Sequence, residues 1–327
     1  MNKRVNDSGR VYIVGAGLAG LSAAVNCVLK GHKVRLFEAT NHAGGRCRSY
    51  KDKTLDRIIN NGNHLILSGN LGIKKLLEIL NSTENFTTMD PALFNFYDIK
   101  ENESWSLQPS NGRIPWWIFN PKRRIPKTSI ADYLPVLKLK YAKNETVAAL
   151  VNPARPIFDR LWQPISQAVL NTDAYESSAK LMWTMLSQTL FKGSKASRPM
   201  LAKTGLSACL IDPAISFLQA NEASIQFSTR LLGLEKKANK LKAITFNDKT
   251  ISLRETDRVI LALPPNEISR LIPSIITPKT TNAIVNVHFL LNEHPPLPNN
   301  APFIGIIGGY AHWLFKHDDI YSVTVSA

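Results

Sequence analysis

Residues Val11–Arg46, VYIVGAGLAGLSAAVNCVLKGHKVRLFEATNHAGGR, constrain this chain more than any other stretch. A short apolar run, Val11–Val14, stops at Gly15-Ala16-Gly17-Leu18-Ala19-Gly20. An alanine-rich helical pattern follows, Gly31 breaks it, and a second apolar run, Val34–Phe37, ends at Glu38. The spacing predicts strand, tight turn, helix, strand, acid. Each part suits a dinucleotide. Gly15 makes the turn, Gly17 lets backbone approach a pyrophosphate, and Gly20 lets helix and strand pack closely. The helix N-terminus presents N–H groups and a partial positive charge to phosphates. Glu38 follows about 20 residues later, where a carboxylate accepts from ribose hydroxyls. Just beyond it, Gly44-Gly45-Arg46 combines permissive backbone with a guanidinium suited to phosphate or a carbonyl oxygen.

A length of 327 residues favours two domains over one. The formal charge of +15 suits an anionic partner, a membrane surface or nucleic acid, or else a solvated lysine-rich surface. No nucleic-acid motif accompanies it, and no nucleic-acid partner is expected. Cys27, Cys47 and Cys209 are odd in number and far apart, without a CxxC. Neither a disulfide framework nor a metal site is expected, and a reducing compartment fits. The N-terminal arm MNKRVNDSGR has no apolar core of signal-peptide length, and no segment has the apolar length of a spanning helix. The expected location is the cytoplasm, with peripheral contact on an anionic inner-membrane surface as an option.

Further along, Asn61-Gly62-Asn63-His64 reads as a turn with apolar flanks, His64 being either a cofactor contact or a structural histidine. Leu71–Leu80 has helical spacing. From Phe86 to Lys143 aromatic and basic residues interleave: Trp105, Trp116, Trp117 and Phe119, then Lys122, Arg123, Arg124 and Lys127. Interfacial membrane surfaces combine these types; so does a substrate-domain core with a basic rim. The stretch 155–191 reads as helical with breaks at Leu161–Pro164 and Leu170–Thr172, and Lys192–Pro199 as a loop. Leu181–Leu186 is core or the lining of an apolar pocket. Ile225–Phe227, Leu231–Leu234 and Leu241–Phe246 read as successive antiparallel strands, and Arg258–Leu263 as a buried strand halted by Pro264 and Pro265. Ala283–Leu290, Phe303–Ile307 and Ile320–Val325 are further strands. Gly305–Gly309 reads as a hairpin turn, having no following helix or distal acid.

Taken in order, Gly15–Gly20, Glu38, Gly44–Arg46 and Val259–Pro265 resemble the flavin-containing amine oxidase and phytoene desaturase superfamily. Asn61–His64, Leu161–Pro164, Leu170–Thr172, Ile284–Phe289, Phe303–Gly305, His312–Phe315 and Ser322–Ser326 are similar to its squalene-associated branch, the hydroxysqualene dehydroxylases. The resemblance runs over nearly the whole chain. It implies an α/β fold: a Rossmann-like FAD-binding domain of the p-hydroxybenzoate hydroxylase type with an inserted mixed helix–sheet substrate domain. The expected division is FAD-binding parts at 1–80 and 205–275, a helical substrate or membrane-facing part at 81–204, and substrate-domain strands at 276–327. It further implies non-covalent FAD held at Gly15, Ala16, Gly17, Leu18, Ala19, Gly20, Glu38, Ala39, Gly45, Arg46, Gly62, His64 and Leu231.

The implied reaction is reduction of hydroxysqualene to squalene with FADH2 as donor, a step of hopanoid precursor synthesis. Implied partners are the isoprenoid substrate, companion squalene-pathway enzymes and an external reductase, since no second nucleotide fingerprint is visible. A carotenoid desaturase, an amine oxidase, or an inactive membrane-associated remnant or partner subunit are the alternatives. Family members continue past these last strands into a Gly-Asp motif and a closing helix at the FAD. Nothing similar precedes Ala327, so a fragment, a partner-completed chain or a decaying copy is expected. No general acid is assigned; Asp132, Asp173 and Glu176 are carboxylates in the presumed substrate region, each expected at the surface.

Overall fold

The computed structural model describes residues 9–326. Ala327 and the first eight residues of the N-terminal arm lie outside them. The chain divides into two compact units. One combines the residues up to Tyr50 with Leu76–Asn85 and Lys203–Thr281; the other combines Lys51–Lys75, Phe86–Ala202 and the residues from Asn282.

In the first unit, β1 (Val11–Val14), α1 (Leu18–Leu29) and β2 (Val34–Phe37) form the βαβ unit that the apolar runs and glycines predict. β1 is central in a parallel four-stranded sheet, with β2 on one side and Arg258–Leu261 on the other; Ser224–Gln226 lies beyond β2. Strand alternation assigns the faces. Ile13 and Leu36, fully buried, are on the side opposite Tyr12, Val14 and Phe37, and α1 contributes Leu21, Ala24 and Val25 to the interior. Tyr12, Val14 and Phe37 pack with Leu231, Ile244 and Phe246 of an antiparallel meander, Leu231–Lys237, Lys240–Phe246 and Thr250–Ser252. The Phe37 and Phe246 rings stack 4.4 Å apart.

Two sequence expectations change here. Ser224–Gln226 is not part of the meander; it pairs in parallel with β2, because the turn at Ser228 (φ 53°) separates it from Leu231. Arg258–Leu261 is only partly buried, and the two prolines do more than halt it. Pro265 opens the helix Pro265–Leu271, where a missing N–H costs nothing.

The second unit is built on a six-stranded sheet in the order Val285–Leu290, Ile320–Val325, Trp313–His317, Phe303–Ile307, Phe94–Asp98, Glu103–Leu107. All pairings are antiparallel except Phe303–Ile307 with Phe94–Asp98. The region 81–204 is therefore not purely helical, because its aromatic residues alternate along a hairpin: Phe94, Phe96, Trp105 and Leu107 face a core shared with Phe303 and the helical residues Leu161, Met182 and Leu186. Gly305 is a strand residue, and a Cβ there would lie 2.5 Å from the Phe96 ring. The Gly308 turn (φ 79°) links it to Trp313–His317 as a hairpin. Leu161–Pro164 does not interrupt its helix. Phe158–Trp162 is a π turn running straight into Gln163–Leu170, where Pro164 sits in the first turn and Asn171 (φ 47°) ends the helix. Within 192–199, Ser194–Ser197 is a short helix, not loop.

Candidate functional site

The glycine turn is a cradle made almost wholly of backbone. Gly15 has φ 102°, and a Cβ on it would lie 2.3 Å from the Ala262 carbonyl oxygen. A Cβ on Gly20 would lie 1.8 Å from the Gly15 carbonyl oxygen. Both positions exclude a side chain by contact with protein. Gly17 is different: its φ of −69° suits any residue, and nothing lies within 4 Å of a Cβ built there. Packing leaves space for a Cβ at 17, and that space lies open to a ligand approaching the backbone.

Gly17 is also the N-cap of α1. The first helical bond runs from the Leu21 N–H to its carbonyl, so the amides of Leu18, Ala19 and Gly20 precede the helix's own bonding. No acidic side chain occupies that first turn. The loop Gly44–Arg46 folds over the turn: the Gly44 N–H donates to the Ala16 carbonyl at 2.8 Å, and Gly44 bridges Gly17. A Cβ on Gly45 would stand 3.4 Å from the Gly17 Cα. The cradle thus offers free helix-start amides and a dipole beside open space at Gly17, and the residues fit a dinucleotide.

Glu38 ends β2, as the sequence places it. Its Oε2 accepts from the Ala16 N–H at 2.8 Å, and its Oε1 from the N–H and hydroxyl of Thr40 at 2.9 and 3.0 Å. The carboxylate therefore ties the glycine turn to the end of β2, keeping its remaining lone pairs for other donors. The tie to Ala16 and the help of Thr40 were not read from the sequence, although a Thr two residues past an acid is a recognisable local turn. Ala39 and Arg46 are exposed beside this loop. Leu231 opens the meander strand Leu231–Lys237, with its side chain buried in the core of that meander. A cleft of about 440 Å³ next to the loop is lined by His42, Arg48, Tyr50, Ile211 and Phe227 among others. Arg48 bonds the His42 Nε2 at 2.8 Å and lies over the Tyr50 ring. Burial pushes the Cys47 thiol up, against the lowering effect of Arg46, so it is no thiolate nucleophile at neutral pH.

Gly62 and His64 belong to the second unit. Their loop meets the edge strand Val285–Leu290 and its neighbour Ile320–Val325 in the six-stranded sheet. Asn63 Nδ2 donates to Thr324 Oγ1 at 3.0 Å, and Thr324 Oγ1 donates to Asn286 Oδ1 at 2.8 Å. A Cβ on Gly62 would approach the rings and amides of His64 and Asn286 at 3.4 and 3.7 Å. On the same strand face, His288 Nδ1 pairs with Ser322 Oγ at 2.7 Å. Burial lowers the His288 pKa, which Asp52 and the Asn60 backbone partly oppose; burial also lowers that of His312. Three segments that carried the resemblance, Asn61–His64, Ile284–Phe289 and Ser322–Ser326, thus meet in one polar network.

The three carboxylates considered as acids do structural work or stay outside. Asp132 is buried, contrary to the surface location expected. It closes the capping box of Ile130–Tyr133 with Ser129 and pairs with Arg155 at 3.0 Å. Burial pushes its pKa up, but the Ser129 N–H and hydroxyl and Arg155 outweigh that and hold it low. Asp173 accepts from Gln163 Nε2 at 2.6 Å and the Tyr175 N–H at 2.8 Å. Glu176 is exposed.

Comparison with known proteins agrees with this geometry. The family model described as flavin containing amine oxidoreductase matches residues 18–293. Hydroxysqualene dehydroxylase of Rhodopseudomonas palustris is 38% identical over 318 residues, 97% of this chain and 75% of that protein. The protein of the same name from Zymomonas mobilis is 38% identical over 97% of this chain and 76% of its own length. Among solved structures, a putative protoporphyrinogen oxidase from Exiguobacterium sp. has the same fold, with a TM-score of 0.68 at 16% identity, covering 97% of this chain and 77% of that one. The cradle, the sheet around it and these likenesses converge: the chain belongs to the flavin containing amine oxidoreductase family, alongside the hydroxysqualene dehydroxylases.

Proposed function

We propose that this chain is an FAD-dependent oxidoreductase that removes the hydroxyl group of hydroxysqualene to give squalene. The observation that carries this reading is 37–38% identity along 97% of the chain to proteins named hydroxysqualene dehydroxylase. Reduced FAD, when bound, supplies the electron pair: R–OH and FADH2 become R–H, water and FAD. The chain's own part begins with the cradle. The amides of Leu18, Ala19 and Gly20 and the open backbone at Gly17 hold the pyrophosphate, and Glu38 fixes the turn and faces ribose hydroxyls. Gly45 and Arg46 cover the same segment of the cofactor.

Hydroxide leaves poorly, so the substrate oxygen needs a hydrogen-bond donor as the C–O bond breaks. The His288–Ser322 pair and the Asn63–Thr324–Asn286 cluster, which share one face of their two paired strands, are the polar groups we assign to that oxygen. We place the reaction on the cytoplasmic face of a membrane, where a C30 hydrocarbon is available, with a separate reductase returning electrons to FAD.

The test is anaerobic. Chain loaded with FAD and chemically reduced is mixed with detergent-dispersed hydroxysqualene. Flavin reoxidation with stoichiometric squalene is expected; reoxidation without squalene, or failure to take up FAD, overturns the proposal. In the same assay His288→Gln is expected to slow turnover with flavin content unchanged.

A further inference from the structure

After the strand Glu103–Leu107, the aromatic and basic stretch up to Lys143 forms short helical pieces that are apolar on two sides. In the turn Trp116–Phe119, Trp117 and Ile118 are buried, whereas Trp116 and Phe119 are 59% and 50% exposed with their rings 5.9 Å apart. Trp117 packs edge-on against Tyr133 at 5.3 Å, which joins this turn to the next piece. There the helix Ile130–Tyr133 continues as a 3₁₀ helix, Leu134–Tyr141. At three residues per turn, every third side chain falls in line, so the segment has three ridges. Tyr133, Val136 and Leu139 form the buried one. Leu134, Leu137 and Lys140 form an exposed one, and Pro135, Lys138 and Tyr141 the third. Leu134 and Leu137 are 57% and 54% exposed, and Tyr141 is 76% exposed. Single exposed leucines are ordinary. A leucine ridge on a piece that packs, through Tyr133, against the turn carrying an exposed, tilted Trp–Phe pair is a patch.

Its charge is one-sided. Residues 105–143 hold eight lysines and arginines and one acid, Asp132, which is buried. The surface of the stretch therefore carries no carboxylate of its own. Arg113, Lys122 and Lys138 make no ion pair among the described residues. No helix among the described residues is long and apolar enough to cross a membrane.

We propose that this face docks the protein on an anionic lipid bilayer. Trp116, Phe119, Leu134 and Leu137 enter the boundary between headgroups and acyl chains, and Lys122 and Lys138 meet anionic headgroups. Aromatic and leucine side chains bind that boundary by apolar burial, and each nearby cation adds attraction to anionic lipid. The excess of cations favours a bilayer over an apolar protein partner. The proposal rests on the membrane placement given above, but not on the identity of the reaction.

The experiment uses the full chain loaded with FAD, sedimented with vesicles of phosphatidylcholine alone or mixed with phosphatidylglycerol, at low and high salt. Salt-sensitive binding to the mixed vesicles is expected. It should weaken about tenfold or more in Lys122→Glu/Lys138→Glu, from the attraction lost at two cations. It should fall to background in Leu134→Ser/Leu137→Ser, with circular dichroism and flavin content as in the parent. Absence of binding to either vesicle, or variants that bind like the parent, overturns it. A dimer in light scattering that Leu134→Ser/Leu137→Ser dissociates would give the face to a second copy and also overturn it. Squalene formation from detergent-dispersed substrate should survive in these variants. Its loss in the parent, with vesicle binding intact, would count against the reaction and not the docking.

Discussion

The two units are built from different materials where we propose that they meet ligands. The cradle of the first is backbone: Gly15 and Gly20 are excluded from bearing a Cβ by protein atoms, Gly17 only by what would bind there. The polar network of the second is side chains, with Asn63, Asn286 and Thr324 converging from separations of 223 and 261 residues. A backbone site fits what every flavoprotein of this class shares, a phosphate pair. A side-chain site can change with the substrate while the strands beneath it stay the same. Shared cofactor and variable chemistry are thus divided between two kinds of construction.

The sharpest way to break that contrast is Gly17→Val. Flavin content should fall to background while the apo protein loses no more than about 1 kcal/mol, the cost of a poorer N-cap residue, because no protein atom lies within 4 Å of the new Cβ. A destabilised apo protein would mean that Gly17 serves the fold. Next in size is Arg160→Met in the second unit. Arg160 is buried, 2.8 Å from Glu103 and 3.6 Å from Asp98, with Trp105 beneath its guanidinium at 4.8 Å. Its removal should cost about 3 kcal/mol in urea unfolding. Adding Asp98→Asn and Glu103→Gln should return part of that. Gly20→Ala should cost about 1–3 kcal/mol through its clash with the Gly15 carbonyl, and lower flavin affinity only as the turn distorts. Glu38→Ala should cost about 1–2 kcal/mol by releasing the Ala16 N–H, and should weaken flavin binding at the same time. Retained stability there would show that the carboxylate serves the ligand alone.

The smallest effect is on pH dependence. Burial holds the pKa of His288 and His312 below 6.5, so the unfolded chain takes up protons first as pH falls. Stability is fully present above about pH 6.5 and declines as pH drops from there through the lower folded values. Urea melts across that range should show the decline, and His288→Gln should reduce it. A flat profile in the parent would deny the burial of both rings.

The cradle was legible because all of it lies in 36 consecutive residues and depends on glycine, whose placement is nearly its own explanation. The strands Phe303–Ile307 and Ile320–Val325 were legible from their apolar runs. The hairpin Phe94–Asp98/Glu103–Leu107 was missed: Asn95, Ser104 and Ser106 alternate with Phe94, Phe96, Trp105 and Leu107 as strand residues do, but each run is short and the parallel partner of Phe94–Asp98 lies some 200 residues on. Ser224–Gln226 was readable as a strand but not as β2's neighbour, because local sequence carries no register. Asp132 looked like any surface acid. Ser129 three residues earlier was the capping signal that could have placed it.

The parallel pairings have a consequence for how the protein is made. β1 is flanked by an early strand, β2, and by Arg258–Leu261, which follows it by 247 residues. At ribosomal speeds that interval lasts roughly 10–50 s, during which one edge of the first strand has no partner. In the second unit Phe94–Asp98 waits similarly for Phe303–Ile307. Nascent chains of this protein therefore carry open strand edges over some 200 residues of synthesis. They should depend on chaperones that shield such edges until the partner strands leave the ribosome.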